Sequence, residues 1–466
     1  MKATSLLKAL SLAALTCVAV LKAEAAERLP IEALTSPNGT AYWFMPVEKA
    51  KRTAVMVAWP SDLSIVPAGK EGAALLATQL MMHGGAGGLG PDEVAAAFND
   101  LDAGARIVAL PHELRAFLVA PDDTALEAAS QLNTALRDPA FDATWLQRIR
   151  GNILKTRQQK GMTAGHRMWT AARIAIMGDS RYRRALLFDP QSVLTSVTRQ
   201  DIVKWHGAAF TRENVIVVAA GSAGSELTGQ AIDRLLENLP ARPAAPAVPA
   251  VYPRIKIPGK TIVLHDPASP KSSIVMVGRV PPGTEEGGFK RLIATTVLGN
   301  SPESRLFTQL RTELGLTYRV KVGVTDFGRT QRVMTIGGEF ESAKLEQALR
   351  AIRDTYRAFR HGGVTADEFS VVKRRLLRNL KKRLLDPTGA ARFLIALRTG
   401  GLDLGYVTGL APSVETLTRE DLNAYIAERL PPLDEMLTVI VAPNVEGIVA
   451  DCVVTTPASV DGCLGR

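Results

Sequence analysis

Residues 304–318 read SRLFTQLRTELGLTY and contain the most specific pattern in this 466-residue chain. Ser301-Pro302-Glu303 predicts the start of a helix, because serine and proline are favoured at helix N-termini. Gly315 predicts its end. An apolar stripe at helical spacing lies between these signals and comprises Leu306, Phe307, Leu310 and Leu314. A strand is expected immediately afterwards, from Thr317 to Val322.

Arg311 and Tyr318 lie on either side of the predicted reversal at Gly315. The reversal would bring the guanidinium and the phenol to the same side. Two such donors can polarise a peptide carbonyl and stabilise the oxyanion that forms when an amide is attacked. The alternative is purely structural: an arginine that interacts with the helix dipole and a tyrosine that packs on a strand.

Beyond this stretch, the chain repeats itself, which indicates an internal duplication. Two pairs of segments match at an offset of 220 residues, and a third pair at 217. The pairs are Val55-Met56-Val57 with Val275-Met276-Val277, Thr198–Ile202 with Thr418–Leu422, and Leu75–Thr78 with Leu292–Thr295.

Residues 240–258 contain six prolines among alanines, a composition that stays extended and packs no core. We expect this linker to join an N-terminal domain, residues 26–239, to a C-terminal domain, residues 259–466. Both halves follow the same order of elements, which predicts an α+β fold with two homologous domains. The predicted elements are strands 54–59, 215–220, 274–280 and 437–441, apolar helices 73–82 and 291–298, and long helices 144–159 and 365–385.

The second long helix has a predicted capping box, formed by Thr365 and Glu368. Its apolar face consists of Phe369, Val372, Leu376 and Leu380. Its basic face consists of Lys373, Arg374, Arg375, Arg378, Lys381, Lys382 and Arg383. Such a face is either simply solvated or binds an acidic partner or an anionic surface.

The N-terminus has the pattern of a secretory signal peptide. Lys2 and Lys8 give a positively charged start, and an apolar run follows at residues 9–21. Ala23-Glu24-Ala25 predicts cleavage after Ala25. The alternative is a membrane anchor, but a spanning helix needs about 20 apolar residues and no later segment supplies them. We therefore expect residues 1–25 to be removed and the mature protein to be periplasmic, without a membrane span.

Cys452 and Cys463 are the two cysteines that remain after this cleavage. In an oxidising compartment such a neighbouring pair favours a disulfide. Two free thiols are the alternative, since sequence does not test disulfide geometry.

Composition and motifs exclude several classes of function. With 46% apolar and 22% charged residues the chain is globular, and a net charge of +10 with only 5% aromatic residues does not indicate a nucleic-acid-binding protein. Residues 85–90 match GxGxxG but follow a helical pattern, so a flexible loop is predicted instead of a dinucleotide site. The six histidines form no pair at one-turn spacing, and no GxSxG motif is present.

The segments Ser304–Phe307 and Arg311–Tyr318 resemble the "sRLf…lRe..GLaY" signature of the second domain of pitrilysin-type zinc peptidases. These inverzincins include mitochondrial processing peptidase. The resemblance extends over nearly the whole mature chain, including the helix starts at Thr198–Ile202 and Thr418–Leu422. It implies half of a clamshell peptidase, in which Arg311 and Tyr318, seven positions apart as in the family, contact the substrate carbonyl across the cleft from zinc.

Zinc-binding members of that family carry HxxEH in the first apolar helix, where Leu75, Thr78 and Gln79 stand in this chain. None of these side chains replaces a histidine ligand or the glutamate base. The resemblance therefore implies that this chain holds no cofactor and that a homologous HxxEH subunit holds zinc in a heterodimer. Such a heterodimeric endopeptidase would bind an unfolded or extended peptide as an added strand. A peptide-binding or scaffold protein that has lost catalysis is the alternative.

Overall fold

A computed structural model describes residues 28–465, apart from 61–65, 67–68, 111–112, 162, 179, 188–189, 214, 242–253, 284–286 and 328–330. The predicted signal peptide and residues 242–253 of the predicted linker lie outside the described residues.

The first sheet takes all of its strands from the N-terminal side of residues 242–253, in the order β1-β2-β6-β3-β5-β4. Its central strand β3 has an almost unbroken apolar sequence because both of its faces are covered by helices. Val55, Val57 and Trp59 contribute to the core on one face, and Met56 to the core on the other. The strands are β1 (Glu32–Thr35), β2 (Ala41–Pro46), β3 (Arg52–Pro60), β4 (Gly104–Leu110), β5 (Glu113–Pro121) and β6 (Ile216–Gly221).

The two helices predicted in this part of the chain, 73–82 and 144–159, correspond to the first and fourth helices of the structure, with ends within two residues of the expected positions. The helices are α1 (Ala73–His83), α2 (Pro91–Asp100), α3 (Ala125–Arg137), α4 (Ala143–Gly161), α5 (Ala164–Met177), α6 (Arg181–Leu187), α7 (Pro190–Ser196), α8 (Arg199–Ala209) and α9 (Gly224–Leu236). The glycine stretch is a loop between α1 and α2, as predicted, and Gly85, Gly87 and Gly88 have positive φ there.

The second sheet repeats the first, in the order β12-β7-β11-β8-β10-β9. Strands β8 and β10 are antiparallel like β3 and β5, and β7 and β11 are parallel like β2 and β6. The outermost strands differ, because β1 is antiparallel to β2 whereas β12 is parallel to β7. The predicted α+β class is confirmed. The strands are β7 (Thr261–His265), β8 (Ser272–Val280), β9 (Val320–Asp326), β10 (Arg332–Phe340), β11 (Leu437–Ala442) and β12 (Cys452–Val454).

The helices that accompany this sheet follow the same plan as those of the first. They are α10 (Gly288–Gly299), α11 (Arg305–Phe307), α12 (Leu345–Gly362), α13 (Ala366–Leu384), α14 (Pro387–Thr399), α15 (Leu404–Thr408), α16 (Leu410–Thr416), α17 (Arg419–Arg429) and α18 (Val460–Cys463).

Two helices pack on the sheet of the other half. Helix α5 packs against β8 and β11 of the second sheet, where Ala172 lies in one core with Val275 and Val439. Helix α14 packs against β3 and β6 of the first sheet, where Leu394 lies in one core with Met56. One face of each sheet is therefore buried by a helix from the other half.

The structure corrects the predicted elements around residues 301–322. The helix begins after Ser304, not at Ser301-Pro302-Glu303, and it continues from Thr308 to Glu313 as a π-helix. The strand begins at Val320 instead of Thr317. The Thr317 hydroxyl donates to the Glu339 carbonyl of β10 at 2.5 Å. This side-chain bond takes the place of the backbone bond that a longer β9 would make to β10.

The capping box of α13 is present as predicted. The Thr365 hydroxyl accepts from the Glu368 amide at 3.2 Å, and the Thr365 amide donates to the Glu368 carboxylate at 2.8 Å. On the basic face, Lys373 donates to the carbonyls at the end of α16 and Arg375 pairs with Glu303, so part of that face stabilises the local structure.

Cys452 and Cys463 are joined by a disulfide that connects β12 to α18, with a Cα–Cα distance of 6.0 Å. Val460, between them, is fully buried in the core that contains α5.

We expect no thiol to react with a labelling reagent in unreduced, denatured mature protein. Replacing both cysteines with serine should weaken the tail against local unfolding by at most on the order of 3 kcal/mol, because the bridge closes a short loop. Hydrogen exchange of the amides in β12 and α18 measures this effect. Labelling of both cysteines without reductant would contradict the bridge.

Candidate functional site

Arg311 and Tyr318 lie in direct contact. The Arg311 guanidinium stacks on the Tyr318 ring at 4.5 Å and on the Phe307 ring at 4.9 Å, so it is held between two aromatic faces. Within the described part of the chain, neither the guanidinium nor the Tyr318 hydroxyl has a hydrogen-bond partner. Both donors are thus positioned, exposed and unused.

The sequence builds this contact through an unusual helix end. The Leu314 amide bonds to the Gln309 carbonyl at 3.1 Å, which is π-helical spacing, and the Leu316 amide bonds to the Leu310 carbonyl at 2.8 Å. Gly315 permits this reversal because it adopts φ +58°. Tyr318 therefore follows the helix closely, in a short segment before β9 and not in a strand as predicted.

Arg305 in the same signature fixes the segment to the rest of the domain. It makes two hydrogen bonds of 2.7 Å to the Glu368 carboxylate and one of 2.8 Å to the Gly363 carbonyl. Burial acts to raise the pKa of Glu368, but the bonds from Arg305 and the Thr365 amide outweigh it and hold that pKa below its usual value. Arg305 is thus a structural residue, which leaves Arg311 as the exposed arginine of the signature.

Tyr318 lies at a groove of about 750 Å³ on the second sheet. One wall is α5, which contributes Gly165, Met168 and Trp169. The floor is the polar face of β9 and β10, including Lys321, Gly323, Thr325, Thr335, Gly337 and Glu339. The groove therefore exists because α5, from the first half, packs on the sheet of the second half.

Sequence reasoning did not identify the groove. The sequence contains one indication of it, namely Gly323 and Gly337 within predicted or observed strands. A glycine inside a strand often marks a place where another backbone or a ligand approaches closely. The wall could not be assigned, because α5 lies more than a hundred residues away in the sequence.

Leu75, Thr78 and Gln79 lie on α1, which packs against the edge strand β4. Thr78 is buried, and its hydroxyl bonds to the carbonyls of Ala74 at 3.0 Å and Leu75 at 3.3 Å. An apolar side chain, a hydroxyl bonded to its own helix and an amide do not fit a zinc ion. In the part of the chain that the structure describes, no three His, Cys, Asp or Glu side chains are grouped as a metal site.

Two histidines outside this helix have pKa values below the usual one. Burial lowers the pKa of His206, whose Nε2 lies 2.7 Å from the Leu136 carbonyl. Burial, and then the charges of Arg173, Arg157 and Lys160, lower the pKa of His166. His166 therefore marks a positively charged environment at the junction of α4 and α5, beside the groove.

Residues 196–376 match the family model described as the peptidase M16 inactive domain. This part of the chain is similar to a peptidase M16 inactive domain. The matched region includes the Arg311/Tyr318 signature, and the resemblance to pitrilysin-type peptidases without their own zinc is confirmed. The comparison with curated proteins found no match.

Several solved structures have the same fold. A peptidase M16 inactive domain from Pseudomonas fluorescens is 20% identical with a TM-score of 0.76, and the match covers 90% of this chain and 99% of that one. A protease from Helicobacter pylori is 15% identical with a TM-score of 0.78, covering 89% and 100%. The first half of the periplasmic protease PqqL from Escherichia coli is 15% identical with a TM-score of 0.67, covering 90% and 93%.

The complete PqqL chain is 14% identical with a TM-score of 0.67, and the match covers 90% of this chain and 48% of that one. In fold, the M16-like chain is therefore equivalent to one half of that protease. No helix in its described residues is long and apolar enough to cross a membrane.

Proposed function

We propose that this M16-like chain is the zinc-less subunit of a heterodimeric periplasmic metalloendopeptidase and supplies Arg311 and Tyr318 to the substrate carbonyl. The observation that carries the proposal is the stacked, exposed pair of Arg311 and Tyr318, whose donors have no partner in the described chain and of which Tyr318 lines the groove. Zinc, held by an HxxEH subunit, would activate the nucleophile. The residues of this chain would bind and orient the peptide.

The aromatic stack gives the arginine a defined position before substrate arrives. Donors fixed in advance stabilise a developing oxyanion without the cost of reorganisation at the moment of reaction. The five N–H groups of arginine and the single hydroxyl of tyrosine suit two lone pairs on one oxygen. This is the chemistry that attack on a peptide carbonyl requires.

The second sheet also offers a place for an extended chain. Strand β9 is an edge strand that pairs only with β10 among the described strands, and it begins two residues after Tyr318. A peptide added to this edge would pass the Arg311/Tyr318 pair. Backbone pairing of this kind binds peptides with little dependence on their side chains.

Complementation tests the proposal. The purified chain alone should not cleave an unfolded peptide and should contain no stoichiometric zinc after dialysis. A homologous HxxEH subunit alone should be nearly inactive, and the mixture should be active. A mixture that forms a complex but cleaves nothing would favour the alternative, a peptide-binding or scaffold protein of the same fold.

A further inference from the structure

The groove beside Tyr318 has an excess of positive charge. Lys271, Arg319 and Lys321 line it, with Glu339 as the one carboxylate among its lining residues. All four side chains belong to exposed residues. The groove would therefore attract negative charge.

These cations are not neutralised by the protein itself. Within the described residues, none of Lys271, Arg319 and Lys321 takes part in an ion pair. Elsewhere on the second half exposed arginines commonly pair with carboxylates, as Arg350 does with Glu346 and Arg357 with Asp354. Unpaired cations that converge on a groove are available to a ligand.

The surroundings of the groove add to this charge. The last two turns of α4 contain Lys155, Arg157 and Lys160, and α4 has no acidic residue along its length. Lys160 and Arg157 act on His166, which lies next to the groove residue Gly165. The positive field thus extends along the junction of α4 and α5.

The shape of the groove suits an extended chain better than a bulky ligand. Its floor contains Gly323 and Gly337, which project no side chain, and the Trp169 ring lies on the wall. Ser273, also among the lining residues, has a buried hydroxyl without a hydrogen-bond partner in the described structure. A peptide backbone supplies the polar groups that such a floor accepts.

We propose that this groove binds an acidic, extended segment of the peptide substrate, with Lys321 and Arg319 as the specificity-determining residues. The inference rests on the proposed function for the identity of the ligand as substrate. Binding itself needs neither the partner nor zinc, so it is measured on this chain alone.

The test uses a fluorescein-labelled, unstructured peptide rich in glutamate and its glutamine counterpart, with fluorescence anisotropy of the full mature chain. The glutamate peptide should bind about tenfold more tightly than the glutamine peptide, and added salt should reduce the difference. Lys321→Glu should weaken binding of the glutamate peptide about fivefold to tenfold. Lys49→Glu, the same change at an exposed lysine between β2 and β3, should leave binding unchanged.

Equal binding of the two peptides, or unchanged binding by Lys321→Glu, would overturn the inference. Equal competition by a single-stranded oligonucleotide of the same charge would also overturn it, because the groove would then be an unselective anion surface. Lys321→Gln and a melting curve show whether loss of binding comes from loss of charge or loss of fold. None of these results depends on whether Arg311 and Tyr318 support cleavage, so the two proposals fail separately.

Discussion

Replacing Tyr318 with phenylalanine is expected to lower the turnover of the assembled peptidase about 100- to 1,000-fold, roughly 2.7–4 kcal/mol, the typical cost of one oxyanion donor. The change removes only the hydroxyl. The phenyl ring still stacks on Arg311, so the arginine keeps its position. Because Tyr318 is 80% exposed, the stability of the fold should not change.

Arg311→Lys should have an effect of the same order, because lysine keeps the charge but loses the planar fork. Turnover and complex formation are measured separately, by steady-state cleavage and by sedimentation. Arg378→Lys, the same exchange at an exposed arginine of α13, is the control and should retain full activity. Full activity of both site variants, or a loss explained entirely by dissociation, would make the pair structural and favour the scaffold alternative.

The second large effect concerns stability and depends on α5 and α14, the two helices that pack on the sheet of the other half. We expect residues 26–241 expressed alone not to form a stable fold, and residues 254–466 likewise. Without α14, the face of the first sheet formed by Met56 and Val218 is exposed. Without α5, the face of the second sheet that contains Val275 and Val439 is exposed. Apolar surface of this extent favours aggregation over an isolated domain.

Coexpression of the two fragments should restore the fold. In the intact chain, Leu394→Ala in α14 should lower the free energy of unfolding by about 2–5 kcal/mol, because Leu394 is fully buried. That loss should appear as faster hydrogen exchange in β3 and β6, which belong to the other half. Leu385→Ala is the matched control, since Leu385 is 68% exposed and its loss should cost less than about 0.5 kcal/mol. A fragment that alone shows a cooperative melting transition would contradict the prediction.

Local signals explain why much of the fold is predictable. Apolar periodicity and capping residues act within one or two turns, so the two long helices and four of the five predicted strands lie within about two residues of the expected positions. Thr365 and Glu368 illustrate this, because both partners of their capping box lie in one turn. The repeat at 220 residues also indicates two similar sheets, and the structure has the same strand order in both, with a difference only in the direction of the outermost strands β1 and β12.

The signature from Ser304 to Tyr318 shows where local signals end. Gly315 is correctly identified as the reversal. The start of the helix at Arg305 and of the strand at Val320 depends on bonds made outside the segment, to Glu368 and to the Glu339 carbonyl. Propensity scales describe a residue's own backbone and do not include such partners.

The sequence by itself determined that the chain is α+β and duplicated, and that Arg311 and Tyr318 lie on either side of a glycine reversal. It also determined that the three HxxEH positions of α1 lack the groups that bind zinc. Each of these depends on residue identity or on spacing within a short segment. Only the tertiary structure decided that Arg311 stacks on Tyr318 and that α5 and α14 each pack on the sheet of the other half. It also decided that α5 forms one wall of a basic groove over β9 and β10. These features arise because apolar faces of segments far apart in the chain are buried against each other. The hydrophobic effect is not directional, so the sequence of one apolar face does not indicate which other face will cover it.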